Sequence, residues 1–156
     1  MSTRCNIKIT SPDRTPLYLY RHWNGYLAKT GANVVEVANR ANKWHGFGAW
    51  CNIVNGFLSQ FYEREPNHKP SPVYEVTDAA HGDIECFYWI EIVSAGITIH
   101  HATGYGPELE AETKAYTLDQ FTAFVNEARA HANTRIEELK RVSPDYYADA
   151  ELYPML

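Results

Sequence analysis

The side chains able to do chemistry gather in two stretches of the chain. The first is His81-Gly82-Asp83-Ile84-Glu85-Cys86-Phe87-Tyr88-Trp89-Ile90-Glu91-Ile92. Read as a strand, it sends Ile84, Cys86, Tyr88, Ile90 and Ile92 to one apolar face and His81, Asp83, Glu85, Phe87, Trp89 and Glu91 to the other. An imidazole, three carboxylates and two aromatics in one row mark either a site or an interface. Asp83 and Glu85 suit a two-carboxylate acid–base pair if their surroundings drive their pKa values apart. His81 with Asp83 and Glu85 has the donor types of a metal site, with His22, His100 and His101 as further donors. Donors two apart on a strand stand roughly 6.5–7 Å apart at Cα, so no tight ligand signature exists. The other reading of this row is a salt-bridge network with Arg4, Lys8 and Arg21. No metal and no cofactor are expected, and no residue is assigned as catalytic.

The second stretch is Tyr20-Arg21-His22-Trp23-Asn24-Gly25-Tyr26, which closes a strand and enters a glycine turn. Strand ends make good pocket rims. Arg21 suits a bidentate phosphate or carboxylate contact. Trp23 and Tyr26 suit stacking on a flat ring. The plainer alternative is a hairpin end packed under a helix, with Arg21 paired to Asp83 or Glu85. A nucleophile elbow and a P-loop are both missing, and Gly104 and Gly106 lack the strand-then-helix context of a phosphate loop.

The elements that must position these residues follow from periodicity. Residues 3–10 alternate, with Cys5, Ile7 and Ile9 inward and Arg4, Asn6 and Lys8 outward. A turn at Ser11–Arg14 and a second strand from Leu17 to His22 make a β-hairpin. Helical spacing predicts helices over about Asn33–Lys43 and Ala49–Arg64, with Gly46 and Gly48 as the break between them. Glu65–Pro72 is expected to be loop and Val73–Val76 a short edge strand. Ile97–His101 pairs back on the His81 strand, and the segment from Thr103 to Glu112 is expected to be loop. Thr117-Leu118-Asp119-Gln120 is a capping box that opens a helix running to about Arg141. The aromatic tail, with Tyr146, Tyr147, Leu152, Tyr153, Met155 and Leu156, is expected to dock on this chain or on a neighbouring subunit. The sum is one α+β domain over residues 1–156. It has an antiparallel sheet of two hairpins, with about three helices covering one face.

Composition narrows the function. The chain has 156 residues and a net charge of −5, which argues against a nucleic-acid binder but allows a small anion held by a local basic cluster. Its 11 tyrosines and 4 tryptophans are residues favoured in pockets and interfaces. Cys5, Cys51 and Cys86 are far apart and lie in apolar surroundings, as reduced buried thiols of a cytoplasmic protein do. No signal-peptide core and no membrane-length apolar run is present, so no membrane partner is expected.

Three segments carry a family resemblance: Thr3-Arg4-Cys5-Asn6-Ile7, Tyr20-Arg21-His22-Trp23-Asn24-Gly25-Tyr26 and His81-Gly82-Asp83-Ile84-Glu85. Together they resemble the T-R-(S/C)-N-I, Y-R-H-x-D-G-Y and H-G-D-I-E pattern of a family of small, mostly uncharacterised bacteriophage and bacterial proteins. Asn24 stands where that family often has Asp, and Cys86 where an aromatic is common. The resemblance implies a phage-type origin, with the host cytoplasm as location, and no established activity. The leading expectation is a homo-oligomeric accessory protein that sequesters a small anionic, nucleotide-like ligand such as a host defence signal. Arg4 and Arg21 would hold phosphate and Trp23 and Tyr26 would stack on a base. His22 lies beside them, and His81, Asp83 and Glu85 would recognise ribose or base edges or hold the arginines. The alternatives are a protein–protein inhibitor of a host protein, presenting the Phe87/Trp89 face or the tail, and a small hydrolase or lyase using His81 or His22 with Asp83 or Glu85.

Overall fold

The structure is a computed structural model that describes residues 3–63 and 69–156. Chain order is β1 (Cys5–Ser11), β2 (Arg14–Arg21), a π-helical turn (Leu27–Gly31), α1 (Ala32–Ala41), α2 (Gly46–Gln60), β3 (Tyr62–Glu63), β4 (Ser71–Pro72), β5 (Glu75–Thr77), β6 (Cys86–Val93), β7 (Gly96–Thr103), a 3-10 turn (Pro107–Glu110), β8 (Lys114–Thr117), α3 (Leu118–Val142) and α4 (Pro144–Tyr147). The main sheet runs β5-β2-β1-β6-β7-β8. The two expected hairpins, β1–β2 and β6–β7, are antiparallel, and they join through a parallel β1–β6 pair in the register Cys5↔Cys86 to Thr10↔Glu91. The α+β class is as expected, with a mixed sheet that is mostly antiparallel.

Alternation sets the two faces. Cys5, Ile7, Ile9, Leu19, Cys86, Tyr88, Ile90 and Ile99 pack under α1, α2 and the N-terminal half of α3. Helix α2 starts at Gly46 rather than after Gly48, so the expected glycine break is its first turn. It closes on α1 because Gly56 has no Cβ: one built there would stand 3.0 Å from both Val37 methyls. The capping box forms as expected, with Thr117 Oγ1 accepting from Gln120 N and Gln120 Oε1 accepting from Thr117 N. Residues 65–68 of the expected loop Glu65–Pro72 lie outside the described residues, and its Ser71–Pro72 end is strand β4, paired with β3. Among the described residues no helix is long and apolar enough to cross a membrane.

The second face departs from the alternation reading. Strand β6 begins at Cys86, not at His81. Its parallel neighbour β1 begins at Cys5, and the Arg4 carbonyl accepts from both Glu85 N and Cys86 N, so the ladder ends there. Residues 81–85 turn over the face instead of extending it. His81, Asp83 and Glu85 therefore do not sit at two-residue steps on a strand. Ile84 joins Phe87, Tyr20, Ala102 and Leu109 in a second apolar cluster, away from Cys86 and Tyr88. Phe87 is fully buried there, so an exposed Phe87/Trp89 face does not exist. Trp89 is flanked by His100, stacked at 4.1 Å, and by Lys8, whose ammonium lies 4.8 Å from its ring and pairs with Glu110.

Candidate functional site

The end of β2 is fixed by a tight backbone turn. Asn24 adopts φ 58°, a left-handed conformation that asparagine tolerates better than most residues. Gly25 then presses on the start of β1. A Cβ at this position would lie 2.9 Å from the Arg4 carbonyl carbon and from Cys5 Cβ, so only glycine fits. Gly25 N donates to Thr3 O at 2.7 Å, and the buried Tyr88 hydroxyl donates to Gly25 O at 2.8 Å. The loop that follows Arg21 is thus tied to β1 and β6.

On the helix side of the sheet, Arg21 is 3 % exposed. Its Nη1 donates to Thr30 Oγ1 at 3.0 Å and to Tyr74 Oη at 3.2 Å, and its guanidinium carbon stands 5.4 Å from the Tyr74 ring centre. Thr30 Oγ1 in turn donates to Asn24 O at 2.8 Å, and Asn33 Nδ2 donates to Tyr74 Oη at 2.7 Å. Burial pushes the Tyr74 phenol up to about 12, against the opposing pull of Arg21, so the ring stays a neutral partner.

Arg21 is also the shared wall of two pockets. One, of about 330 Å³, opens where β5 stops pairing with β2 and is lined by Tyr20, His22, Trp23, Pro72 and Glu75 among others. The second, of about 280 Å³, is lined by Asn24, Lys29, Asn33, Phe61 and Tyr62 together with Arg21 and Val73. Val73 belongs to both linings, so the pockets adjoin. Their volumes are at the small end of the range for small-molecule sites. A larger depression of about 390 Å³ lies between the end of α1 and the start of α3, with Asn39, Asn42, Thr98 and Asp119 in its wall. No basic side chain lines it, so it does not suit an anion.

The opposite face of the same strand end carries the other expected residues. The His81 ring stacks on Tyr20 at 4.0 Å and 14°, while its carbonyl accepts from Asn6 Nδ2 at 3.1 Å. Tyr20 Oη meets His22 Nδ1 at 3.1 Å, and His22 makes an edge contact with Trp23, which is 54 % exposed. Arg4 Nη1 donates to Asp83 Oδ2 at 2.6 Å. Arg4, His22, Trp23, His81 and Asp83 are therefore brought together. Arg21 points away from them, through the sheet. Glu85 is half-buried, and its backbone bridges Arg4 O and Gly104 N. Tyr26 turns towards the tail, where its hydroxyl meets Tyr153 Oη at 2.6 Å.

Lys29, Asn33, Thr30 and Tyr74 were not singled out by sequence. Lys29 lies in a π-helical turn that has no periodic signature, and Tyr74 reaches Arg21 from far along the chain. Among the described residues no group of three or more His, Cys, Asp or Glu is placed to hold a metal ion. The arrangement offers hydrogen-bond donors, positive charge and aromatic edges around two adjoining hollows. No family model, no characterised protein and no solved structure was found to match this chain.

Proposed function

We propose that the chain binds a small anionic, nucleotide-like ligand in the paired pockets on either side of Arg21. The observation that carries this reading is that Arg21 belongs to the lining of both hollows, with Lys29 in one and Trp23 in the other. A phosphate suits the side lined by Arg21 and Lys29, whose two positive charges match it in sign. A base fits against Trp23, whose exposed ring is free to stack. Tyr20, His81, Asp83 and Arg4 act behind the site: the stack and the ion pair hold β2 and the residue 81–85 turn together. His22 bridges that group to Trp23. Glu85 works through its backbone, and Tyr26 holds the loop to the tail.

The resemblance of the Arg4, Arg21 and His81 segments to small phage and bacterial proteins supports an accessory role. On this reading the chain sequesters a host defence signal, in the host cytoplasm and as a homo-oligomer. A thermal-shift screen with mono-, di- and cyclic nucleotides tests it, with each hit released by heat and re-weighed. A stabilising ligand that returns at its original mass fits sequestration. One that returns altered identifies an enzyme with the same pocket. If no nucleotide stabilises the chain, the reading fails.

A second reading, inhibition of a host protein, has one observation in its favour. Trp44 and Phe47 are 56 % and 57 % exposed, and Arg14 lies 4.1 Å from the Phe47 ring. Arg14 begins β2, so this patch sits roughly 23 Å along the strand from Arg21. A stoichiometric host protein, retained by the parent chain and lost by Trp44→Ala with Phe47→Ala, would favour it.

A further inference from the structure

The tail is held by its main chain on a regular ladder of side chains. Asn133 Nδ2 donates to Tyr153 O at 2.8 Å, and Asn133 Oδ1 accepts from Tyr153 N at 2.7 Å. Asn126 repeats the pairing on Leu156, with its Oδ1 accepting from Leu156 N at 2.8 Å and its Nδ2 donating to Leu156 O at 3.4 Å. Between them Arg129 Nη1 donates to Pro154 O, the one main-chain group that proline can offer. Seven residues of helix rise about 10.5 Å, and three residues of extended chain span about 10 Å. The spacing of the two asparagines thus matches residues 153–156 laid out straight and antiparallel to α3. Arg129 also donates to Ala28 O at 3.0 Å, which ties the ladder to the π-helical turn.

We infer that the Asn126–Arg129–Asn133 face of α3 is a docking site for an extended peptide, and that its exchangeable occupant is residues 153–156 of a second copy of this chain. The ladder reads backbone groups, so any copy of the segment satisfies it equally. What the closed chain leaves uncovered points to the second copy. Leu152, Met155 and Leu156 are 44 %, 53 % and 47 % exposed, and Tyr146 is 88 % exposed. Ala132, Ile136 and Leu139, the apolar stripe on the same helix, are only half-buried. Reciprocal exchange keeps every ladder bond and brings a second chain beside apolar side chains that the single chain leaves uncovered. This inference does not depend on the nucleotide reading.

A mixing experiment with two full-length variants tests it. Asn126→Ala with Asn133→Ala removes the ladder and keeps the tail. Tyr153→Pro removes both the N–H and the hydroxyl from the tail and keeps the ladder. Neither touches a fully buried side chain, and circular dichroism checks that both fold. The intramolecular tail no longer competes, so mixing is expected to raise the dimer fraction, read by native mass spectrometry, about tenfold or more over either variant alone. An unchanged dimer fraction on mixing would overturn the docking site. A dimer that persists in the ladder variant alone would place the contact elsewhere and overturn it too. If the tail variant binds a synthetic Leu-Tyr-Pro-Met-Leu peptide but the chains do not pair, the second copy is the wrong occupant.

Discussion

Replacing Arg21 with methionine separates its structural contribution from the ligand contact proposed for it. Methionine keeps the unbranched apolar stem and removes the guanidinium. Among the described residues, two hydrogen bonds from a charged donor are lost, at 3.0 Å to Thr30 and 3.2 Å to Tyr74, each of a kind that contributes about 1.5–3 kcal/mol. The Tyr74 ring loses a cation neighbour at 5.4 Å, a contact that contributes about 0.5–2 kcal/mol. Against this stands relief from burying the charge, several kcal/mol per ion. Neither acceptor is orphaned, since Thr30 still donates to Asn24 O and Tyr74 still receives Asn33. These terms oppose one another, and a loss on the order of 2 kcal/mol, within the usual range for a single substitution, corresponds to a fall of about 4–8 °C in Tm for a chain of this length. The variant should therefore fold, with an unchanged urea m-value and a lower midpoint. A nucleotide at a hundred times its Kd stabilises the parent by about 2.7 kcal/mol, and Arg21→Met should lose that increment. Urea titration with and without nucleotide reads both quantities. An unaltered midpoint together with an unaltered nucleotide increment would refute the reasoning about Arg21.

Three further outcomes follow from particular contacts. Burial holds the His101 imidazole down to about 4, although its bond to the Phe87 carbonyl works the other way. The unfolded chain therefore takes up the proton first as pH falls. Stability is full above about pH 6.5 and declines by roughly 3 kcal/mol on going down to pH 4; His101→Phe, which preserves the stack on Tyr88, should flatten that window in urea titrations. Gly25→Ala drives a Cβ to within 2.9 Å of Arg4 and Cys5 backbone atoms, so it should cost about 1–3 kcal/mol in chemical denaturation and weaken nucleotide binding by moving the loop. Thr117→Ala removes the hydroxyl that caps α3 and should lower stability by about 1 kcal/mol, read by thermal denaturation, without affecting ligand.

The sequence revealed those parts of the fold whose signals are local. Strict alternation in Cys5–Ser11 set the inward face of β1, and the Thr117/Gln120 pair marked the start of α3 within one residue. The start of β6 was misplaced because a strand ends where its partner ends. The ladders to β1 and to β7, invisible in the local pattern, both stop at Cys86. The same non-locality hid β8, whose Lys114–Thr117 run is too short to show a period. In the candidate site, Arg21, His22 and Trp23 were legible as a strand end rich in polar and aromatic side chains. Their separation onto the two faces followed from register, which put Arg21 opposite Cys5 and Tyr20 opposite Asn6. The wall formed by Lys29, Asn33 and Val73, with Tyr74 bonded behind it to Arg21, required the packing of α1 and the β4–β5 segment against β2. No residue type or spacing within those stretches announces it.

The most direct measurement of the central claim is equilibrium dialysis of a nucleotide panel against the parent chain and against Trp23→Ala and Lys29→Glu. Both side chains are exposed and line opposite pockets, so neither substitution should disturb the fold. The account predicts that the parent retains at least one nucleotide and that each variant retains far less of it. Retention by the parent that survives in both variants would put the ligand elsewhere, and no retention by the parent would contradict the account outright.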